Sequence, residues 1–241
     1  MGQIQGKGNK MEQESLRILC VADEEDKGLW DFYTPDKLKG YDLILSSGDL
    51  HPDYLQFLVT MAGVPLLYVH GNHDTGYERN PPFGCECIED TVFNFHGLRI
   101  LGLGGSMKYK EVTPPYMYTE IQMKRRIARL SANLMLTNGF DILLTHSPML
   151  GYGDQEDLPH RGFACFDHLV KRYKPLYMIH GHVHKAYGHF QRERLHPSGT
   201  RLINTCGAHS IMVEKGQFPA RGKTGSPLYD LYTRMQKEPL L

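Results

Sequence analysis

Long hydrophobic runs are missing from this 241-residue chain. None approaches the roughly 18 apolar residues that a membrane-crossing helix needs. An excess of charge is missing too: 27 Lys and Arg balance 27 Asp and Glu. A dedicated nucleic-acid or acidic-membrane binder would be strongly basic, so nucleic acid is not the expected partner. The first residues, MGQIQGKGNKMEQES, lack the apolar stretch of a secretory signal, and Gly6 occupies the place where a myristoylation signal wants Ser or Thr. Cysteine is sparse and odd in number: Cys20, Cys85, Cys87, Cys165 and Cys206 are scattered along the chain. That excludes a disulfide framework and suits a reduced, cytoplasmic protein. Repeats, low-complexity linkers and an H-E-x-x-H helix are absent as well, the last leaving a metalloprotease or amidase without its usual signature.

What is present is a regular alternation of short apolar runs with amphipathic stretches. The pattern predicts an α/β fold in one domain over residues 16–213, preceded by a disordered arm (1–15) and followed by a polar, loosely ordered tail (214–241). Buried strands are expected at 16–22, 41–46, 65–69, 140–144 and 176–179, and a hairpin at 91–103 around His96-Gly97. Two further strands are expected near 187–193 and 201–205. Helices are expected at 53–61, with Asp53 as a cap, at 163–173, and as one long helix over 119–137. Thr119 and Gln122 fit a capping box for the long helix, and Asn138-Gly139 a stop.

Five strand ends share one chemistry: Asp23-Glu24-Glu25, Gly48-Asp49, Gly71-Asn72-His73-Asp74, Thr145-His146 and Gly181-His182-Val183-His184. Each alone is an ordinary loop, but all five in order are an improbable accident, because strand-end loops are where α/β sheets gather functional side chains. A hydrolase using two divalent ions about 3.5–4 Å apart needs a bridging carboxylate and terminal N and O ligands. Asp49 is the natural bridge, Asn72 offers a neutral amide oxygen, and His146, His182 and His184 offer imidazoles. Such a donor set suits two transition-metal ions, Mn first, with Fe, Zn or Ni as alternatives, better than Mg or Ca. If the strands continued, His182 and His184 would share one side, as would Asp23 and Glu25.

In this respect the chain resembles the calcineurin-like metallophosphoesterase superfamily over about residues 17–206, with GNHD and GHVH as its most specific motifs. The resemblance implies a two-sheet β-sandwich flanked by helices. It implies one ion held by Asp23, Asp49 and His184, and a second held by Asp49, Asn72, His146 and His182. It also implies hydrolysis of a small phosphodiester or phosphomonoester by a metal-bridging hydroxide, with His73 assisting the leaving group. One departure stands out: the family's D-x-H reads Asp23-Glu24-Glu25 here, so Glu25 stands where a histidine is usual and is either an oxygen ligand or part of a solvated acidic turn. Arg161 and His160, in the loop after His146, are candidate substrate contacts beside Asn72. Asp74 reads as a supporting acid. Cys85-x-Cys87 lacks the second pair that would complete a metal site. A nuclease on the same site, or a metal-bound but catalytically silent interaction module, are the alternatives; a silent module has no need of an acid such as His73.

Overall fold

The computed structural model describes residues 15–110, 115–187 and 190–235. The arm expected over residues 1–15 therefore lies outside them apart from Ser15, which already opens the first strand.

Thirteen strands and five α-helices follow in chain order: β1 (Ser15–Ala22), β2 (Leu43–Ser46), α1 (Pro52–Ala62), β3 (Leu66–Tyr68), β4 (Cys85–Cys87), β5 (Val92–Phe95), β6 (Leu98–Leu103), β7 (Ser106–Met107), β8 (Met117–Tyr118), α2 (Glu120–Arg129), α3 (Ser131–Leu136), β9 (Ile142–Thr145), α4 (Cys165–Tyr173), β10 (Tyr177–His180), β11 (Glu193–Leu195), β12 (Arg201–Asn204), β13 (Gly207–Glu214) and α5 (Pro227–Met235). One sheet runs β13-β1-β2-β3-β4, the other β11-β12-β10-β9-β6-β5. Their centres are parallel, while β13, β11 and β5 are antiparallel edges.

Strand alternation explains the layering. Ile18, Cys20, Leu43, Leu45, Leu67 and Val69 point inward and meet Leu98, Ile100, Ile142, Leu144, Ile179 and Ile203 of the opposite sheet. Their chain neighbours Leu19, Val21, Ile44, Leu66 and Tyr68 face outward onto Leu55 and Leu58 of α1. On the other side Leu101, Leu103, Leu143, Met178 and Leu202 pack against Met123, Leu134, Phe166 and Leu169 of the remaining helices. Both faces of the central strands are thus covered, which is why those strands read as continuous apolar runs.

Several elements depart from expectation. The long helix over 119–137 is two: the Thr119–Gln122 capping box is present, but α2 ends at Leu130 and α3 restarts at Ser131. There the Ser131 hydroxyl donates to the Ala128 carbonyl at 2.7 Å, competing with the helical ladder while Leu130 is drawn into the core. Helix α1 is capped by His51, whose Nδ1 accepts from the Asp53 N–H at 3.3 Å, not by Asp53. The strand expected near 187–193 is β11, displaced to Glu193–Leu195. Beyond Val213 the chain is not a loosely ordered tail as far as residue 235: β13 runs to Glu214 and α5 follows. Asp230 ties the start of that helix by accepting from Thr224 and Gly225, and the buried Tyr229 hydroxyl accepts from Asn94 on β5 at 3.0 Å. Residues 236–241 lie outside the described residues.

Candidate metal centre

All five motifs sit where β1, β2, β3, β9 and β10 end, on the same rim of the sandwich. At three of these ends the backbone of a candidate ligand is left-handed: Asp23 at φ 60°, Asp49 at φ 58° and His182 at φ 70°. Such conformations cost of order 1–3 kcal/mol each and persist only where the surroundings enforce them. Here glycines make the enforcement possible. A Cβ on Gly71 would fall 2.0 Å from Asp49 Oδ1, one on Gly48 would fall 2.2 Å from the Gly71 nitrogen, and one on Gly181 would fall 2.6 Å from Asp23 Oδ2. Four loops thus meet in two pairs, Gly48-Asp49 against Gly71 and Gly181 against Asp23, because these glycines have no side chain.

The buried centre forms around His146. Its Nδ1–H donates to the Ser47 carbonyl at 2.8 Å, which leaves Nε2 with a lone pair in the neutral ring. His182 is fixed likewise: Nε2–H donates to the Pro159 carbonyl at 2.7 Å, so Nδ1 holds the lone pair. These lone pairs face each other at 3.0 Å, with Asn72 Oδ1 at 3.1 Å and Asp49 Oδ2 at 3.3 Å from His146 Nε2. Four electron-rich atoms converge where only a cation or a proton can reconcile them. In the metal-free protein the proton takes that place. Burial opposes charge on His146, but the Asp49 carboxylate outweighs it and raises its pKa to about 9. His182, buried and beside His146, is pushed down to about 3. Asp49 is itself held at about 2, because His146 overrides burial.

Surrounding groups brace this centre. Asp74 accepts from the Gly71 N–H at 2.7 Å and the Asp49 N–H at 2.9 Å; burial first, and then the Asp49 charge, raise its pKa to about 6. Both Asp23 oxygens accept from the His182 N–H, at 3.0 and 2.9 Å, and burial raises that carboxyl to about 7. The His73 N–H donates to Asp49 Oδ1 at 2.7 Å, and its exposed ring lines a cleft of about 360 Å³ with Asp49, His51, Tyr77 and Asn80.

Glu25 does not share the side of Asp23. The strand stops at Ala22, the chain reverses with Glu24 N–H donating to the Ala22 carbonyl at 2.6 Å, and Glu25 ends exposed. Strand parity therefore fails, and it is the carboxylate of Glu24, itself partly exposed, that approaches His184. That carboxylate lies 3.6 Å from His184 Nδ1, and these two with Cys206 Sγ offer donor atoms all within 4.8 Å of one another. His184 thus diverges from His182, whose neighbour Val183 closes a tight turn onto the Gly181 carbonyl. Sequence reasoning missed Glu24 and Cys206; the reversal at Asp23 that selects the first is a tertiary effect, and nothing in Asn204-Thr205-Cys206-Gly207 announces the second. Of the substrate candidates, the His160 ring lies 5.4 Å from that of His182, while Arg161 is exposed on the same loop. A larger cavity of about 810 Å³, between β5 and α5, contains none of the candidate residues.

Among the described residues no helix is long and apolar enough to cross a membrane. Compared with known proteins, the chain is 31% identical over 104 residues to UPF0046 protein T07D4.2 of Caenorhabditis elegans, covering 42% of this chain but only 24% of that one. It is 22% identical over 213 residues to UPF0046 protein C25E10.12 of the same organism, covering 73% of this chain and 71% of that one. Its fold is similar to that of TT1561 of Thermus thermophilus, with a TM-score of 0.53 at 15% identity over 83% of this chain and 99% of that one. The family model for calcineurin-like phosphoesterases matches residues 17–186, most of the chain, including the loops that carry Asp23, Asp49, Asn72, His73, His146, His182 and His184. Because that match spans most of the chain, the chain belongs to the calcineurin-like phosphoesterase family.

Proposed function

We propose that this protein hydrolyses a small phosphodiester or phosphomonoester with the help of two divalent transition-metal cations, Mn²⁺ first among Mn, Fe, Zn and Ni. The observation that carries this reading is the set of four donor atoms, from Asp49, Asn72, His146 and His182, converging with their tautomers already fixed by the Ser47 and Pro159 carbonyls. Imidazole with amide and carboxylate oxygen fits a transition-metal cation. Glu24, His184 and Cys206 are the residues for the second cation, with Asp23 beside Glu24 in the chain as a further carboxylate for it. In this reading Glu24, not Glu25, stands in for the family's histidine.

When bound, the cations supply charge neutralisation for the phosphoryl group and activation of the attacking water. The chain's own residues do the rest. Asn72 holds a neutral oxygen at the centre, adding no negative charge against an anionic ester. The His73 backbone N–H fixes the free oxygen of Asp49, and its exposed ring faces the cleft, placed to give a proton to the departing oxygen. His160, beside His182, and Arg161 contact the substrate's remaining oxygens. The small cleft and the balanced charge support a small ester over a long polyanion. Five free cysteines support a reducing, cytoplasmic setting.

The test is hydrolysis of bis-p-nitrophenyl phosphate and p-nitrophenyl phosphate by metal-stripped protein resupplied with Mn, Ni, Zn or Mg. Metal-dependent turnover is expected, abolished in Asp49→Ala and lowered roughly 10²- to 10⁴-fold in His73→Ala, the usual range for a general acid. Turnover indifferent to Asp49→Ala overturns the assignment. Tight metal binding without turnover of either ester would favour a silent module.

A further inference from the structure

We propose that His70, Cys87 and Glu89 form a separate binding site for one soft divalent cation of the zinc class, which braces the loop carrying Asn72 and His73. Strand pairing sets these three residues together. Tyr68 on β3 lies opposite Cys87 on β4 in parallel register, and His70 and Glu89 each follow two residues later, on the same face. The outcome is a compact donor set: His70 Nδ1 is 2.9 Å from Glu89 Oε2 and 3.9 Å from Cys87 Sγ, and all three donor atoms lie within 4.8 Å of one another. A tetrahedral zinc with Zn–S of about 2.3 Å and Zn–N and Zn–O of about 2.0 Å puts N and S about 3.5 Å apart, and N and O about 3.3 Å apart. The two distances to His70 Nδ1 are each within about 0.4 Å of that requirement, a shift that side-chain rotation supplies.

The donors are held from behind. Glu89 keeps its other oxygen 3.4 Å from the Arg126 guanidinium. The His70 ring stacks on Tyr116, centroids 4.1 Å apart and nearly coplanar, and meets Tyr68 and Tyr77 edge-on. The His70 and Glu89 side chains are only 12% and 16% exposed, whereas Cys87 is open to solvent on the edge strand β4. Three protein ligands with one open side is the layout of a zinc site that keeps a fourth position for water. Thiolate with imidazole excludes Mg and Ca and favours Zn. One thiolate and one carboxylate also cancel the charge of a divalent ion. The Cys85-x-Cys87 pair is thus not a unit: Cys87 finds its partners across the strand boundary.

This site is distinct from the centre around His146, yet linked to it by a short path. His70 is followed directly by Gly71-Asn72-His73, and its carbonyl accepts from the Gly105 N–H at 2.7 Å. A cation on the His70 ring fixes the start of the loop that ends on Asp49.

The experiment uses the full chain loaded with Co²⁺, read by metal content per chain and by the near-ultraviolet thiolate-to-cobalt charge-transfer band. Cys87→Ser and Cys87→Ala are compared with Cys85→Ser and Cys206→Ser, with circular dichroism confirming the fold of each. The expected result is that both Cys87 variants lose one cation per chain together with its share of the band. Cys85→Ser retains both, and Cys206→Ser retains the share that depends on Cys87. Zinc competes this cobalt away in the wild type. A cation count and band unchanged by both Cys87 substitutions, or a band lost entirely with Cys206→Ser, overturns the proposal.

Discussion

Cation binding at the buried centre competes with a proton, and the competition can be measured. In the metal-free protein Asp49 is ionised and His182 is neutral near pH 7, keeping only its Nε2 proton, their pKa values being held to about 2 and about 3, whereas His146 at about 9 carries a second ring proton, on Nε2. A cation accepting the His146 Nε2 lone pair must first displace that proton. Well below pH 9 the first equivalent of Mn²⁺ therefore releases close to one proton, falling to about half a proton near the His146 value. Its apparent affinity rises about tenfold per pH unit and levels off only above the His146 value. At pH 7, well below that value, the displacement weakens the apparent affinity by roughly 100-fold. Isothermal titration of Mn²⁺ into stripped protein, in buffers of different ionisation enthalpy between pH 6.5 and 8.5, reads both quantities. An affinity equal at the two ends of that range, or no proton released at pH 7.5, would refute the convergence of lone pairs on which the assignment of this centre rests.

Two further perturbations separate scaffold from site. Arg99 and Asp141, each with a side chain 8% exposed, form a two-pronged pair at 2.9 and 2.7 Å, and Arg99 also donates to the Thr137 and Asn138 carbonyls. Arg99→Met strands a buried carboxylate and is expected to destabilise by about 3–5 kcal/mol, lowering Tm by roughly 10 °C at about 2–4 °C per kcal/mol. Turnover at 20 °C should survive, because the pair sits at the opposite ends of β6 and β9 from His146; thermal unfolding and ester hydrolysis check both halves. Gly71→Ala should do the reverse: a Cβ 2.0 Å from Asp49 Oδ1 pushes that carboxylate away, abolishing Mn²⁺ binding at the centre around His146 by calorimetry while far-ultraviolet circular dichroism stays native.

How far the sequence could be read depended on whether the relevant physics was local. The central strands were legible because both of their faces are buried, so Leu43–Ser46 or Ile142–Thr145 are unbroken apolar runs. The Thr119–Gln122 capping box was legible because it is a local exchange of hydrogen bonds. The break at Leu130 was not, since it comes from core packing together with one serine hydroxyl. Strand β13 was missed although Ile211 and Val213 alternate with exposed neighbours, because His209 and Ser210 interrupt the pattern and its pairing with β1 spans nearly the whole chain. Helix α5 draws its order from Asp230, Asn94 and Tyr229, partners far apart in sequence. At the proposed metal centre, Asp49, Asn72, His146 and His182 could be proposed as ligands from motif order alone, and the structure brings their donor atoms together. Glu24 and Cys206 could not, because the reversal at Asp23 destroys the strand parity on which choosing Glu25 depended.

The glycines at the rim have a consequence for anyone who would transplant this centre onto another scaffold. A graft that copies only the carboxylates, the amide and the imidazoles onto strand ends of a host sheet would fail, since Asp23, Asp49 and His182 need left-handed backbone, and their loops need Gly48, Gly71 and Gly181 to close upon one another. The smallest portable unit is all five strand-end loops, three of them hinged on glycine, together with the Ser47 and Pro159 carbonyls that set the imidazole tautomers. Residues that touch no substrate and bind no cation are as much a part of the recipe as those that do.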